Sequence, residues 1–400
     1  MKKRDMYLSQ LQKFTGKQLV KVITGVRRCG KSMLLDLFEE KLLNSGTERK
    51  SIVKMNFESF EFDHIRDYKE LYAHVSKLLN PDGMTYLLLD EIQNVEEWER
   101  AVNSLRLDRK IDIYITGSNA GLLSSELSTL LSGRYVEVKM LPLSFKEYLE
   151  FNDYPLTGDL RQYFNEYLLF GGFPGITELQ KHQSSVSPLL GGIYSTIVMK
   201  DIVQRGGVRD PALLDSLTRF MSSNVGNITS TKSICDYLNS SGRKTTADTI
   251  DNYLQLLGSA YVLYPVRRYD LKGKLHLKTH GKFYIVDSGI RNELLGFRNQ
   301  DYGSMLENTV YFELLRRGCD VSIGKIASYE VDFVAQKQDS IMYIQVSASM
   351  LSDETRIREL RPLESIKDNY EKIVLSMDRT PVSDYNGIKQ VNLLDFLLGG

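Results

Sequence analysis

Apolar and polar positions follow two rhythms in the first third of the chain. Short β-rich runs at residues 18–24 (QLVKVIT), 51–57 (SIVKMNF), 86–90 (YLLLD), 111–116 (IDIYIT) and 135–140 (YVEVKM) are bounded by glycine or polar residues. After the first of them, Leu34, Leu35, Leu37, Phe38, Leu42 and Leu43 recur at helical spacing. Compact apolar runs of this length suit strands buried on both faces. Their alternation with helical stretches predicts an α/β fold built on a parallel sheet sandwiched between helices.

Beyond Pro142 the rhythm changes. Residues 144–151 and 159–170 read as helices, GGFPG at 171–175 as a turn, and 189–203 as a further helix. A short helix at 234–238, a turn at 240–244 (SSGRK) and a helix at 246–257 form a helix–turn–helix pattern. Ile250, Tyr253, Leu254 and Leu257 lie on one face of the second helix. Strands at 261–266 and 274–278 would pair as a hairpin, the wing of a winged helix. From 283 a mixed pattern follows: a strand (FYIVD), a helix at 305–317, and strands at 329–335 and 341–348. The expected organisation is an α/β core at 1–142, a helical lid at 143–210, a winged-helix-like unit at 211–282 and a second, smaller α/β domain at 283–400.

Composition narrows the class. Four hundred residues exceed one ordinary core, and 42% hydrophobic with 26% charged residues is the balance of a globular protein. The 51 basic and 51 acidic residues cancel, which excludes a uniformly polyanion-binding surface but allows a local basic patch. Cys29, Cys235 and Cys319 show no CxxC spacing, so neither a disulfide framework nor a cysteine zinc site is expected. Apolar runs are far shorter than a membrane span, and the charged N-terminus lacks the apolar segment of a secretory signal. The expected location is the cytoplasm, with no membrane partner.

The strongest chemical signal is Gly25-Val-Arg27-Arg28-Cys29-Gly30-Lys31-Ser32, which fits G-x-x-x-x-G-K-[ST] between a predicted strand and a predicted helix. Glycines allow the backbone to wrap a phosphate, and the following helix offers it a positive dipole end. Lys31 would reach the β- and γ-phosphates, and Ser32 would offer its hydroxyl to Mg²⁺; Met33 completes the stretch expected to line the nucleotide. Asp90, delivered by an apolar strand, would join the Mg²⁺ shell, and Glu91 would orient or deprotonate the attacking water. Ile115-Thr-Gly-Ser118-Asn119 ends another strand in small polar residues, so Ser118 or Asn119 would sense the γ-phosphate, or simply cap the following helix. Arg134, in LSGRY, is either a surface residue or an arginine finger.

Together with these motifs, LPLSFKEYLEF, YLLFGGFPGI, KDIVQR, YIVDSGIRNELLG, LEN and EVDF give the chain a resemblance to a known family along nearly its whole length. It resembles the AAA-superfamily ATPases of bacteria and archaea that carry a C-terminal domain of unknown function. The resemblance implies ATP or ADP with Mg²⁺ as ligands, and nucleotide and metal roles for Lys31, Ser32, Asp90 and Glu91. It also suggests Asn119 as the sensor, and Arg134 as a finger completing the site of a neighbouring subunit in a homo-oligomer.

Arg267, Arg268, Lys272, Lys274, Lys278 and Lys282 cluster around the expected wing with only Asp270 opposing them. Such charge would track a DNA backbone without reading sequence, or dock a protein. The final unit resembles the restriction-endonuclease-like fold in outline, with Glu307 on a helix and Asp332 on a strand. Gln345 and Ser347 stand where an active member has an acid and a lysine. A degenerate, recognition-only domain is expected. The favoured function is ATP hydrolysis coupled to conformational change or assembly; the alternatives are a slow nucleotide-gated switch and an ATP-dependent nuclease.

Overall fold

The computed structural model describes residues 2–119, 131, 133–204, 206–277, 281–297, 301–379 and 383–399. Two compact units emerge: residues 1–142 with 259–261, and residues 143–258 with 262–400.

In the first unit, helix α1 (Asp5–Lys13) precedes strand β1 (Val20–Thr24), which runs into helix α2 (Lys31–Asn44). Strand β2 (Ile52–Asn56), helix α3 (Tyr68–Leu78), strand β3 (Thr85–Asp90), helix α4 (Trp98–Leu105) and strands β4 (Ile111–Gly117) and β5 (Tyr135–Lys139) follow. All five strands are parallel, in the order β2-β3-β4-β1-β5. The apolar runs are buried on both faces as their composition predicts: every residue of β1 and of β4 is buried. Trp98, Ala101, Val102 and Leu105 seat α4 on the core formed by β3 and β4. The parallel α/β core expected from the alternating runs is therefore present.

The strand order decides the chemistry. Because β4 lies between β1 and β3, the loop after β1, the end of β3 and the end of β4 open at one edge of the sheet. In a parallel sheet that carboxyl edge is where ligands gather.

The second unit begins with helices α5 (Phe145–Phe151), α6 (Arg161–Phe170) and α7 (Gln183–Thr196). A π-helical turn, Ile197–Gln204, extends α7. By length and composition alone, Gln183–Gln204 is apolar enough to cross a membrane, which the runs read from the sequence did not suggest. Its polar interruptions hide this in a run-by-run reading. Val186, Leu190, Ile193, Ile197 and Ile202 form a buried stripe along it, the pattern of a helix packed on one face. Helices α8 (Pro211–Ser223), α9 (Thr231–Ser240) and α10 (Ala247–Ser259) follow.

The pairing of the next strands corrects the expected wing. Strand β6 (Leu263–Val266) pairs antiparallel with β9 (Lys282–Ile285), not with the described residues 274–277 of the expected strand at 274–278, whose last residue lies outside the described ones. The hairpin instead joins β7 (Arg268–Asp270) to β8 (Leu275–His276), and β7 extends a larger sheet by pairing with β10 (Asp320–Ile326).

Helices α11 (Ser288–Leu295) and α12 (Tyr302–Arg316) lead into β10, β11 (Tyr329–Lys337), β12 (Ser340–Ser347), α13 (Asp353–Glu364), β13 (Glu371–Ser376), β14 (Ser383–Tyr385), β15 (Ile388–Asn392) and α14 (Leu393–Leu398). Among the described residues the mixed sheet has eight strands, ordered β14-β15-β13-β12-β11-β10-β7-β8.

Candidate functional site

The residues between β1 and α2 form a tight loop with three left-handed turns of backbone. Gly25 has φ 142°, Arg28 φ 68° and Gly30 φ 101°. Gly25 is obligatory on two counts: its φ disfavours any side chain, and a Cβ there would lie 2.1 Å from the carbonyl oxygen of Met140. Gly30 caps α2 without a side-chain hydrogen bond, so no capping side chain occupies the N–H groups of the first turn. Fourteen residues of helix align their dipoles behind that turn.

Lys31 is buried in this loop. Its Nζ donates to the carbonyls of Gly25 (3.0 Å) and Val26 (3.2 Å) and stands 3.9 Å from Glu91 Oε1. Ser32 and Met33, one position further on, are exposed. Cys29 is buried, with its Sγ facing the Met140 carbonyl; burial pushes the thiol above its ordinary pKa, against the pull of Lys31 and Arg4. It is a packing residue with no thiolate character. Arg27 is also buried, and its guanidinium donates to Glu58 Oε1 at 2.9 Å.

Asp90 ends β3 and Glu91 follows it in left-handed backbone at φ 53°. Both are buried. Thr116 on β4 ties them together, donating its hydroxyl to Asp90 Oδ1 and accepting the Glu91 backbone N–H at 2.9 Å. Ser118, fully buried, donates to Glu91 Oε2 at 3.5 Å, and Gln93 Nε2 donates to the same oxygen. Asn119 is half-buried just beyond.

Lys31, Asp90, Glu91, Thr116 and Ser118 thus converge at the carboxyl edge of the sheet. Arg134 does not join them. It immediately precedes β5, and its carbonyl accepts from Val20 N at the start of β1. The five-residue length of β1, roughly 17 Å of strand, separates it from the loop. Exposed there, it lies close enough to Arg106 that burial, and then the Arg134 charge, lower the Arg106 pKa.

Two supporting residues were not legible beforehand. Arg4 donates to the carbonyls of Cys29 (3.1 Å), Leu141 (3.0 Å) and Pro142 (3.4 Å), bracing the loop from behind, and Tyr7 accepts from Leu141 N at 3.1 Å. Nothing in an N-terminal MKKRDMY signals these contacts. Thr116 could have been found, because alternation in IDIYITG points it to the same side as Tyr114 and away from Ile115.

In the second unit, Glu307 and Asp332 come together around an unforeseen group. Lys282, expected on the basic wing, is 4% exposed, and its Nζ lies 2.8 Å from Glu307 Oε1, 2.8 Å from Glu330 Oε1 and 3.7 Å from Asp332 Oδ1. Burial disfavours its charge, but Glu307, Asp332 and Glu330 outweigh that and hold the ammonium protonated. Burial, and then the neighbouring Glu307 charge, push the Asp332 pKa up as well, to about 8, despite Lys282. Tyr284 also donates to Glu307. Lys282 is thereby removed from the basic patch: strand alternation turns it inward beside Tyr284, where the carboxylates claim it. Gln345 Oε1 accepts the Asp332 N–H at 2.8 Å, and its Nε2 donates to Glu359 at 2.9 Å. Ser347 donates to the Ser349 carbonyl instead of entering the cluster. Of the other wing residues, Arg267, Lys272 and Lys274 are exposed and Arg268 is half-buried, whereas Lys278 lies outside the described residues.

The profile of a family described as an AAA domain matches residues 17–149, and one described as a domain of unknown function matches residues 161–301. An uncharacterized protein of Methanocaldococcus jannaschii is 32% identical over 362 residues, covering 87% of this chain and 79% of its own. A Walker-type ATPase of Pyrococcus abyssi superposes with a TM-score of 0.47 at 16% identity, over 74% of this chain and 96% of that one. An uncharacterized protein of Haemophilus influenzae is 41% identical over 397 residues, 99% of this chain and 98% of its own. Matched from end to end at that level, the chain belongs to the same family as the Haemophilus influenzae protein, and its N-terminal part is an AAA domain.

Proposed function

We propose that the chain binds ATP with Mg²⁺ and hydrolyses it to ADP and phosphate at the loop between β1 and α2. The observation that carries this reading is the convergence of Lys31, Asp90, Glu91 and Thr116 at one edge of the sheet. The uncapped first turn of α2 and the amides of residues 25–30 present donors to the β- and γ-phosphates. Lys31 exchanges its loop carbonyls for phosphate oxygens. The donor chemistry suits Mg²⁺, a hard cation that takes oxygen ligands: the exposed Ser32 hydroxyl and the Asp90 carboxylate would hold it. Bound there, it would neutralise charge on the phosphate oxygens. Glu91, held by Gln93 and Ser118, accepts the proton of the attacking water. Ser118 and Asn119, at the end of the strand between the loop and Asp90, report the γ-phosphate. Arg27, Arg28, Cys29 and Met33 line or support the same pocket through the loop backbone and the first turn of α2. The output is conformational change or assembly, and Arg134 acts on the site of a second copy of the chain.

Steady-state ATP turnover by the wild-type chain beside Glu91→Gln tests the reading. Turnover that falls at least a hundredfold in the variant, with nucleotide binding retained, is the expected result. Equal turnover in both proteins would refute the role of Glu91. Nucleotide bound without turnover by either protein would mark a slow switch.

A further inference from the structure

A cavity of about 610 Å³ opens in the second unit between the β7–β8 hairpin, the strands β10–β12 and the segment that links α13 to β13. Its volume falls in the range of small-ligand sites. Helix α13 packs across β11, β12, β13 and β15 and ends at Glu364, and the cavity lies beyond that end. The floor is apolar: Val334 and Ile366 are buried, with Leu271, Ile326 and Ile341 packed beside them.

Two features of the walls specify a ligand. The first is aromatic. Tyr269, Tyr343 and Tyr370 all line the cavity. Tyr343 is fixed by donating its hydroxyl to Asp368 at 2.7 Å, and Tyr370 meets it edge-on at 6.4 Å while remaining 44% exposed. An exposed ring beside a fixed one is a stacking platform for a flat heterocycle.

The second feature is charge. Lys272 and Lys274 on the hairpin and Lys367 on the segment after α13 line the cavity. Neither Lys272 nor Lys274 has an ion pair among the described residues, and Lys367 donates only to the Glu364 carbonyl. The lining acids, Asp320 and Asp368, are outnumbered by these three lysines, and Asp270 outside the lining accepts the N–H groups of Lys272 and Gly273 while the Lys272 charge helps keep it ionised.

From an apolar cavity lined by three tyrosines and three lysines, we infer that it binds a nucleoside phosphate, its base against Tyr370 and its phosphate on Lys272 and Lys274. The source is either a free nucleotide or one residue of a single-stranded nucleic acid. Both present the same base and phosphate. The inference is independent of the loop between β1 and α2.

The test uses the full chain carrying Lys31→Ala, which silences that loop, and two probes: AMP by titration calorimetry, and a fluorescein-labelled single strand of deoxythymidylate by anisotropy. At least one probe is expected to bind. Tyr370→Ala should weaken it about tenfold, the worth of one base–aromatic stack. Lys272→Glu with Lys274→Glu should also weaken it, and for the strand should flatten the log–log salt dependence by about 1.4. All three positions are exposed or half-exposed, and unchanged melting temperatures will show that the variants fold. Binding of AMP alone identifies a free nucleotide as the ligand, and binding of the strand alone identifies nucleic acid. Absence of binding by either probe at millimolar concentration overturns the inference. So does an affinity that neither set of substitutions changes.

Discussion

A single hydroxyl holds the two acids of the candidate site in register. Thr116 donates to Asp90 and accepts from the Glu91 backbone, so its oxygen fixes both where the Asp90 carboxylate points and where the left-handed turn at Glu91 begins. Thr116→Val keeps the shape and removes both bonds. It leaves a buried N–H unsatisfied, at a cost of about 1–3 kcal/mol, and it frees the Asp90 carboxylate to rotate. We expect ATP turnover to fall at least tenfold with nucleotide binding nearly retained; parallel measurements of turnover and of nucleotide affinity check this split. Lys282 makes the complementary case in the second unit. Lys282→Met would leave Glu307, Glu330 and Asp332 facing one another without the ammonium, and losing one partner of a buried ion cluster costs about 3–5 kcal/mol. Urea denaturation should show that loss at neutral pH. Adding Glu307→Gln to the variant should recover part of it.

At the level of elements, Asp287 joins the end of α6 to the start of α11. Its carboxylate accepts Gly172 N at 2.7 Å and caps α11 through Ile290 N at 3.1 Å. Gly171, at φ 83°, sits so close that a Cβ there would fall 2.1 Å from Asp287 Oδ1, so Gly171→Ala must break this joint. Burial raises the Asp287 pKa to about 6, even though three backbone N–H groups favour its charge. A carboxyl raised in the folded state contributes stability fully below its unfolded pKa near 4, and that contribution is lost as the pH rises through about 6. It amounts to roughly 3 kcal/mol. Unfolding free energy should therefore fall between pH 4 and 6, and Asp287→Asn should flatten that segment of the profile. The same scale explains what the sequence disclosed. Strands such as YLLLD and IDIYIT are buried on both faces, so their apolar runs alone reveal them. The β6–β9 pair and the inward turn of Lys282 depend on partners far along the chain: Glu307 and Asp332 are visible as separate acids, but only the folded sheet shows that a lysine before them lies between both.

Considered as a whole, the molecule leaves one predicted residue without a place at the site of its own chain. Arg134 lies at the amino edge of the sheet, while Lys31, Asp90 and Glu91 gather at the carboxyl edge. The parallel register of β1 with β5 fixes that separation, since Val20 pairs with Tyr135 and Thr24 with Lys139. No rotamer of an arginine spans the length of a strand, so the guanidinium can stabilise a transferring phosphoryl group only on another copy. A finger supplied in trans has a distinctive consequence. A chain carrying Arg134→Ala keeps an intact nucleotide site but cannot complete its neighbour's, and a chain carrying Glu91→Gln has a dead site but an intact arginine. Each variant alone should turn over ATP at least a hundredfold more slowly than wild type, in keeping with the scale of arginine-finger effects. Mixed in equal amounts they should regain a substantial part of the lost turnover, because some Arg134→Ala sites then face an intact Arg134, and the regained rate should rise with total protein concentration. Mixtures no faster than the sum of their parts, or Arg134→Ala turning over like wild type at every concentration, would return this residue to the surface.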